Sequence, residues 1–176
     1  MKERTISTKR IFKGRIVSLR EDVVRLSNGV ISKREIVEHP GAVAVIALTD
    51  DGKILIERQF RLSAKSVLFE IPAGLAHKGE DLAKAARREL IEETGYDARK
   101  IRKVFAGFSS PGYSTEVITF FVASGLKHVG QNLDVDEMIE VKKMSIKKCV
   151  QMIKSGKIRD NKTIAGVLFA SQWKKR

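Results

Sequence analysis

A single cysteine, Cys149, excludes any internal disulfide, and a reducing, cytoplasmic setting is the expectation. Histidine is nearly as scarce: His39, His77 and His128 show no metal-ligand spacing, with each other or with Cys149, so an imidazole or thiolate metal centre is not expected. No apolar run approaches membrane-spanning length, the longest lying around residues 42–48, and the opening MKERTISTKR has no apolar region of the signal-peptide kind. No association with a membrane is expected. Acidic residues are missing from one end: residues 142–176 carry eleven basic side chains and one acidic, residues 1–40 carry ten and five, and residues 41–141 carry thirteen and fifteen. The net charge of +13 therefore sits at the two ends. With aromatics at 6% and none interleaved with the lysines and arginines, a nucleic-acid surface is not expected; a solvated basic surface that attracts small anions is.

What remains is an ordinary globular composition, 43% hydrophobic and 31% charged over 176 residues, enough for one domain with a small appendage. Ile11–Leu19, Val23–Leu26 and Val30–Val37 are short β-branched runs, the last two separated by the hairpin signal Asn28-Gly29, and predict a small antiparallel sheet. His39-Pro40-Gly41 reads as a junction, dividing the chain into an appendage over 1–39 and a main domain over 40–176. Ala42–Leu48 predicts a central strand, followed by an Asp50-Asp51-Gly52 turn and a second strand, Lys53–Phe60. Further strands are expected at Val67–Ile71, Val104–Phe108, Thr115–Ala123 and Met138–Met144. Ser145 and either Asp160 or Asn161 are helix-capping residues for two C-terminal helices.

From Asp81 to Thr94 there is neither proline nor glycine among good helix formers, and Gly95 follows where a left-handed cap is wanted, so a helix is predicted. On its surface Leu82, Ala86, Glu89 and Glu93 fall on one stripe, with Glu92 on the shoulder. Like charges continuing an apolar stripe call for a positive partner: either a hard divalent cation, which takes oxygen ligands, or Arg87, Arg88 and nearby lysines around a solvated patch. Arg58 and Arg61 suit phosphate oxygens or surface ion pairs. The polar loop Gly130–Glu137, carrying Asp134, Asp136 and Glu137, is either merely solvated or supplies a catalytic base.

The longer pattern is more specific. From Gly74, five residues lead to Glu80, seven more to Arg88, and Glu89, Leu90, Ile91, Glu92, Glu93, Thr94, Gly95 and Tyr96 follow. At every defined position this resembles the Nudix box. Around it HPGAVAV, RQFR, EIPAG, SPGYSTE, the acidic loop before IEV and DNKTIAG are similar to the ADP-ribose pyrophosphatase branch of that superfamily, over nearly the whole chain.

The resemblance implies an α/β fold, an α/β/α sandwich around a mixed sheet, with the N-terminal sheet serving a homodimer. It implies Mg²⁺ or Mn²⁺ held by Glu89, Glu92, Glu93 and the Ala73 carbonyl, with Glu80 or Glu70 assisting, and Arg88 keeping the carboxylates in place. The expected reaction is metal-dependent hydrolysis of ADP-ribose to AMP and ribose 5-phosphate. Glu137 is the first choice of base and Asp136 the second, Glu92 is counted as catalytic, and Arg58, Arg61, Glu70, Gly112 and Glu116 are the expected substrate contacts. The alternatives are another nucleoside diphosphate sugar, a dinucleotide, or a non-catalytic module binding nucleotide or RNA.

Overall fold

The computed structural model describes residues 2–135 and 137–173. Met1–Gly41 with Gly107–Val117 make one compact unit, and Ala42–Ala106 with Ile118–Arg176 make a second.

In the first unit β1 (Glu3–Lys13), β2 (Ser18–Leu26) and β3 (Ile31–Glu38) form an antiparallel sheet in that order. The β2–β3 turn is built as Asn28-Gly29 predicts: Gly29 takes φ +86°, and Asn28 Oδ1 accepts from the Val30 N–H at 3.2 Å. The expected strand Ile11–Leu19 is divided instead. The Gly14 N–H donates to the Val17 carbonyl at 2.9 Å, and Lys13 pairs with Ser18, so the β-branched Ile16 and Val17 lie in a turn. Strand β1 starts earlier, at Glu3, because every residue in it is exposed and none had to be apolar. Residues 113–115 run beside the end of β3: the Val37 N–H donates to the Tyr113 carbonyl at 2.8 Å, and the Thr115 N–H donates to the Val37 carbonyl at 3.0 Å.

The second unit is a mixed seven-stranded sheet made of β4 (Ala42–Leu48), β5 (Lys53–Arg61), β6 (Ser66–Glu70), β7 (Ala73–Gly74), β8 (Tyr96–Phe108), β9 (Val117–His128) and β10 (Ile139–Ser145). The order is β10-β5-β4-β9-β8, with β4 and β9 parallel, β6 paired to β5 and β7 to β4. Strand β8 begins at Tyr96, well before Val104, because its charged Ala-Arg-Lys-Ile-Arg-Lys stretch suits a half-exposed sheet edge. Helix α1 (Leu82–Thr94) covers one face, with Ala85, Ala86 and Leu90 against Val43, Val45, Ala47 and Leu55. Helices α2 (Ile146–Lys154) and α3 (Asn161–Gln172) cover the other, where Cys149, Met152 and Val167 meet Ile46, Ile54, Ile56 and Ile71. Among the described residues no helix is long and apolar enough to cross a membrane.

Strands β4 and β5 pair only at Leu48 and Ile54. Beyond that point they part, and the chain from β6 to β7 fills the gap: Glu57 to Arg61 pair with Glu70 to Ser66, while Val43 and Ala44 pair with Gly74 and Ala73. This delivers Pro72-Ala73-Gly74 to the face of α1. Helix α3 fixes the same segment from behind. The hydroxyl of the fully buried Thr163 accepts from the Ile71 N–H at 2.8 Å and donates to Asp160, the α3 cap, at 2.6 Å. Thr163→Val leaves the Ile71 N–H unbonded in the core, and a loss of about 1–3 kcal/mol in denaturant unfolding is expected with the native far-UV circular dichroism retained.

Candidate active site

Helix α1 is held at both ends. The Asp81 side chain accepts from the Ala83 and Lys84 N–H groups at its start, and Gly95, at φ +72°, donates to the Ile91 carbonyl at its end. The carbonyls that a helix C-terminus leaves open are taken by the following loop: Val129 N–H bonds Gly95 O at 2.7 Å, Gln131 Nε2 bonds Glu93 O at 2.6 Å, and Asn132 N–H bonds Glu92 O at 3.1 Å. The acidic loop is thus tied to the helix whose carboxylates it faces.

Glu89, Glu92 and Glu93 emerge on the side of α1 that meets β7. Gly74 is required there by close approach, since a Cβ on it would collide with the Glu89 carboxylate. Arg88 binds the group together. Its Nη1 donates to Glu89 at 2.8 Å and Glu92 at 2.9 Å, its Nη2 to the Leu75 carbonyl at 2.8 Å and Glu80 at 3.2 Å, and its Nε to Glu80 at 3.2 Å. Glu80, which also accepts from the His77 N–H, is held below the usual carboxylate range, chiefly by Arg88.

Glu93 is buried, and its Oε2 accepts from the Ala73 N–H at 2.8 Å. Burial pushes its carboxyl up to about 8, against the Ala73 hydrogen bond and with the help of Glu89 and Glu137. Glu89 is raised by burial as well, opposed by Arg88 and reinforced by Glu92 and Glu137. Glu137, on the tied loop, therefore acts on the same cluster; its side chain accepts from the Asp134 N–H at 3.3 Å. Asp136 lies outside the described residues.

On β5, side chains alternate between the two cores. Arg61 faces the α1 side and grips the buried Glu70 with two bonds, Nε to Oε1 at 2.7 Å and Nη2 to Oε2 at 2.9 Å. Lys162 of α3 completes this network with ion pairs to Glu70 and Asp160. Burial alone would raise the Glu70 carboxyl, but Arg61 and Lys162 hold it below its ordinary range. Arg58 points to the other side of the strand, over Phe69 and 2.5 Å from Glu140. Gly112 and Glu116 belong to the first unit, where Glu116 stands 3.5 Å from His39 Nδ1.

Two site residues had escaped the sequence. Lys162 is the one cation in α3 past its cap, and Glu57 is a carboxylate ending the apolar row Ile54-Leu55-Ile56. Glu57 is 2% exposed, and its Oε1 has no hydrogen-bond partner. Burial first, then Glu93 and Glu70, push its carboxyl well above the ordinary range. A cleft of about 420 Å³ is lined by Thr94, Tyr96, His128, Gln131, Glu140 and Lys143 but by none of Glu57, Glu89, Glu92 and Glu93.

The donors are all oxygen, crowded and short of positive charge, and one buried oxygen is unpartnered, which fits a hard divalent cation. Among the described residues no three His, Cys, Asp or Glu side chains are gathered tightly enough to hold one, and Arg88 spans Glu89 and Glu92.

Known proteins resemble this chain over most of its length. Residues 38–166 match the model of the NUDIX domain, and residues 3–37 match that of the nucleoside diphosphate sugar hydrolase N-terminal domain. The chain is 42% identical over 171 residues to an ADP-ribose pyrophosphatase of Bacillus subtilis (strain 168), covering 96% of this chain and 92% of that one. It is 44% identical over 169 residues to a methanol dehydrogenase activator of Bacillus methanolicus, covering 95% and 91%. A crystal structure of an ADP compounds hydrolase superposes with a TM-score of 0.87 at 19% identity, over 98% of this chain and 94% of that one, which speaks for the fold.

The raised Glu93 carboxyl makes a pH-dependent prediction. Folded, Glu93 keeps its proton to about pH 8; unfolded, it loses it near 4.5, so its contribution to stability falls as pH rises through that window. Glu93→Gln keeps an oxygen for the Ala73 N–H and cannot ionise. In chelator it is expected to match wild type at pH 5 and to exceed it by on the order of 1–3 kcal/mol at pH 8, read from denaturant unfolding at the two pH values.

Proposed function

The chain belongs to the Nudix family and is a pyrophosphohydrolase, and on that premise we propose that it hydrolyses ADP-ribose to AMP and ribose 5-phosphate. The observation that carries the reaction type is the set of α1 carboxylates turned to the Ala73-Gly74 strand, with Glu89 lying where any side chain at position 74 would be. The substrate choice rests on the likeness to the Bacillus subtilis enzyme over almost the whole chain.

Nudix hydrolases generally need a divalent metal, and here we take it to be Mg²⁺ or Mn²⁺, held by Glu89, Glu92, Glu93 and the Ala73 carbonyl. Bound there, such a cation neutralises the pyrophosphate oxygens and lowers the pKa of a coordinated water. The chain's own residues do the rest. Arg88 keeps Glu89 and Glu92 in fixed rotamers. Arg61, oriented by Glu70 and still 38% exposed, presents its guanidinium to a phosphate oxygen. Glu137 takes the proton from the attacking water, and the tie between its loop and α1 sets its reach.

The first unit exposes Ile6, Ile11, Phe12 and Ile31 at 49–58% on a three-stranded sheet, which buries little by itself. We assign these to contact with a second copy of the chain, within the cytoplasm that the lone buried Cys149 suits. Light scattering is expected to give twice the chain mass, and deletion of residues 2–38 to give the monomer; a monomeric intact chain removes the dimer.

The substrate is tested by AMP release from ADP-ribose, ADP-glucose, NADH, diadenosine polyphosphates and guanosine counterparts, with Mg²⁺, with Mn²⁺ and with chelator. The fastest turnover is expected on ADP-ribose and none in chelator; a faster panel member replaces the substrate while leaving the hydrolase. Glu93→Gln is expected to lower kcat at least about a hundredfold, and near-normal turnover by this variant removes Glu93 from the metal site.

A further inference from the structure

We propose that Glu57 is a further oxygen donor to the divalent cation, reaching the carboxylate cluster from the sheet while Glu89 and Glu93 reach it from helix α1. The proposal rests on the metal-dependent hydrolysis described above.

Backbone register fixes where Glu57 points. On β5, Ile54 and Ile56 belong to the core under α2 and α3, and Leu55 to the core under α1. Glu57 continues the Leu55 row, and its partner across the ladder to β10, Val141, packs against that same α1 core. Its partner on β6 is Glu70. An apolar residue would serve this position better, because a carboxylate in it is removed from water without recompense. Oε1 has no partner, and the nearby cations are committed: Arg61 and Lys162 to Glu70, and Arg88 to Glu80, Glu89 and Glu92.

Among neighbouring charges, Glu93 acts on Glu57 most strongly. Two buried carboxyls that repel each other are relieved by a cation between them. Glu93 spends Oε2 on the Ala73 N–H, and the pair retains further oxygen lone pairs to offer a hard ion. The gap between β4 and β5 explains how a sheet residue comes to face the helix's acidic end at all: β6, rather than β4, lies beside Glu57.

The test uses Mn²⁺ alone, without substrate, titrated into the intact chain and followed by electron paramagnetic resonance and calorimetry. Glu57→Gln is expected to weaken Mn²⁺ binding at least about tenfold and to shrink the rise in melting temperature that Mn²⁺ brings. In chelator the same variant is expected to melt at or above the wild-type temperature, since an unpartnered buried acid has gone. Equal Mn²⁺ affinity in variant and wild type overturns the proposal and leaves metal-dependent hydrolysis standing. Absence of Mn²⁺ binding by wild type overturns both. Glu57→Val is measured alongside, and failure of both variants to fold in chelator assigns the carboxylate to the fold itself and overturns the proposal too.

Discussion

Too much negative charge in too small and dry a space is the constraint that organises this molecule. Glu89, Glu93 and Glu137 act on one another beside α1, Glu57 joins them through Glu93, and the Arg88 guanidinium is spent on Glu80, Glu89 and Glu92. Within a low-dielectric interior such a cluster persists only by holding protons or by holding a cation. The raised Glu93 carboxyl is the protonic answer; hydrolysis of a pyrophosphate uses the other. Stability of the metal-free chain and competence of the site therefore pull in opposite directions at neutral pH.

Geometry answers that constraint with rigid parts. A capped helix carries the acids, a two-residue strand inserted between β4 and β5 brings the Ala73 N–H and the bare Gly74 up to them, and α3 holds the preceding strand through Thr163. A second charge network, Arg61–Glu70–Lys162, lies alongside but is balanced: its buried acid has two cations and stays ionised. The contrast between the two acids paired across β5 and β6, Glu70 satisfied and Glu57 not, is what separates a positioning role from a ligand role.

Much of this was legible in the residues. Spacing from Gly74 to Tyr96 identifies the box, and the Asp81-to-Gly95 composition identifies its helix almost to the residue, because caps and helical periodicity are local properties. Pairing partners are not local. That Arg58 and Arg61 lie on opposite faces follows from strand alternation, yet which face meets α1 depended on the sheet order. Nothing in the residues beside Glu57 marks it, and its burial emerges only in the folded sheet, where β6 rather than β4 lies beside it. The misplaced first strand has a different cause: Glu3–Lys13 buries neither face, so no alternation marked it.

The loop that follows β9 carries one further consequence. Its hydrogen bonds to the carbonyls of Glu92, Glu93 and Gly95 all fall between Val129 and Asn132, before the acidic residues begin. The helix and this anchor therefore form one fixed post, and Glu137 lies beyond it, bonded back to Asp134 through the Glu137 N–H and its own carboxylate. A change of charge beyond the post, at Glu137, would alter the field on Glu89 and Glu93 while leaving the bonds that fix the post as they are.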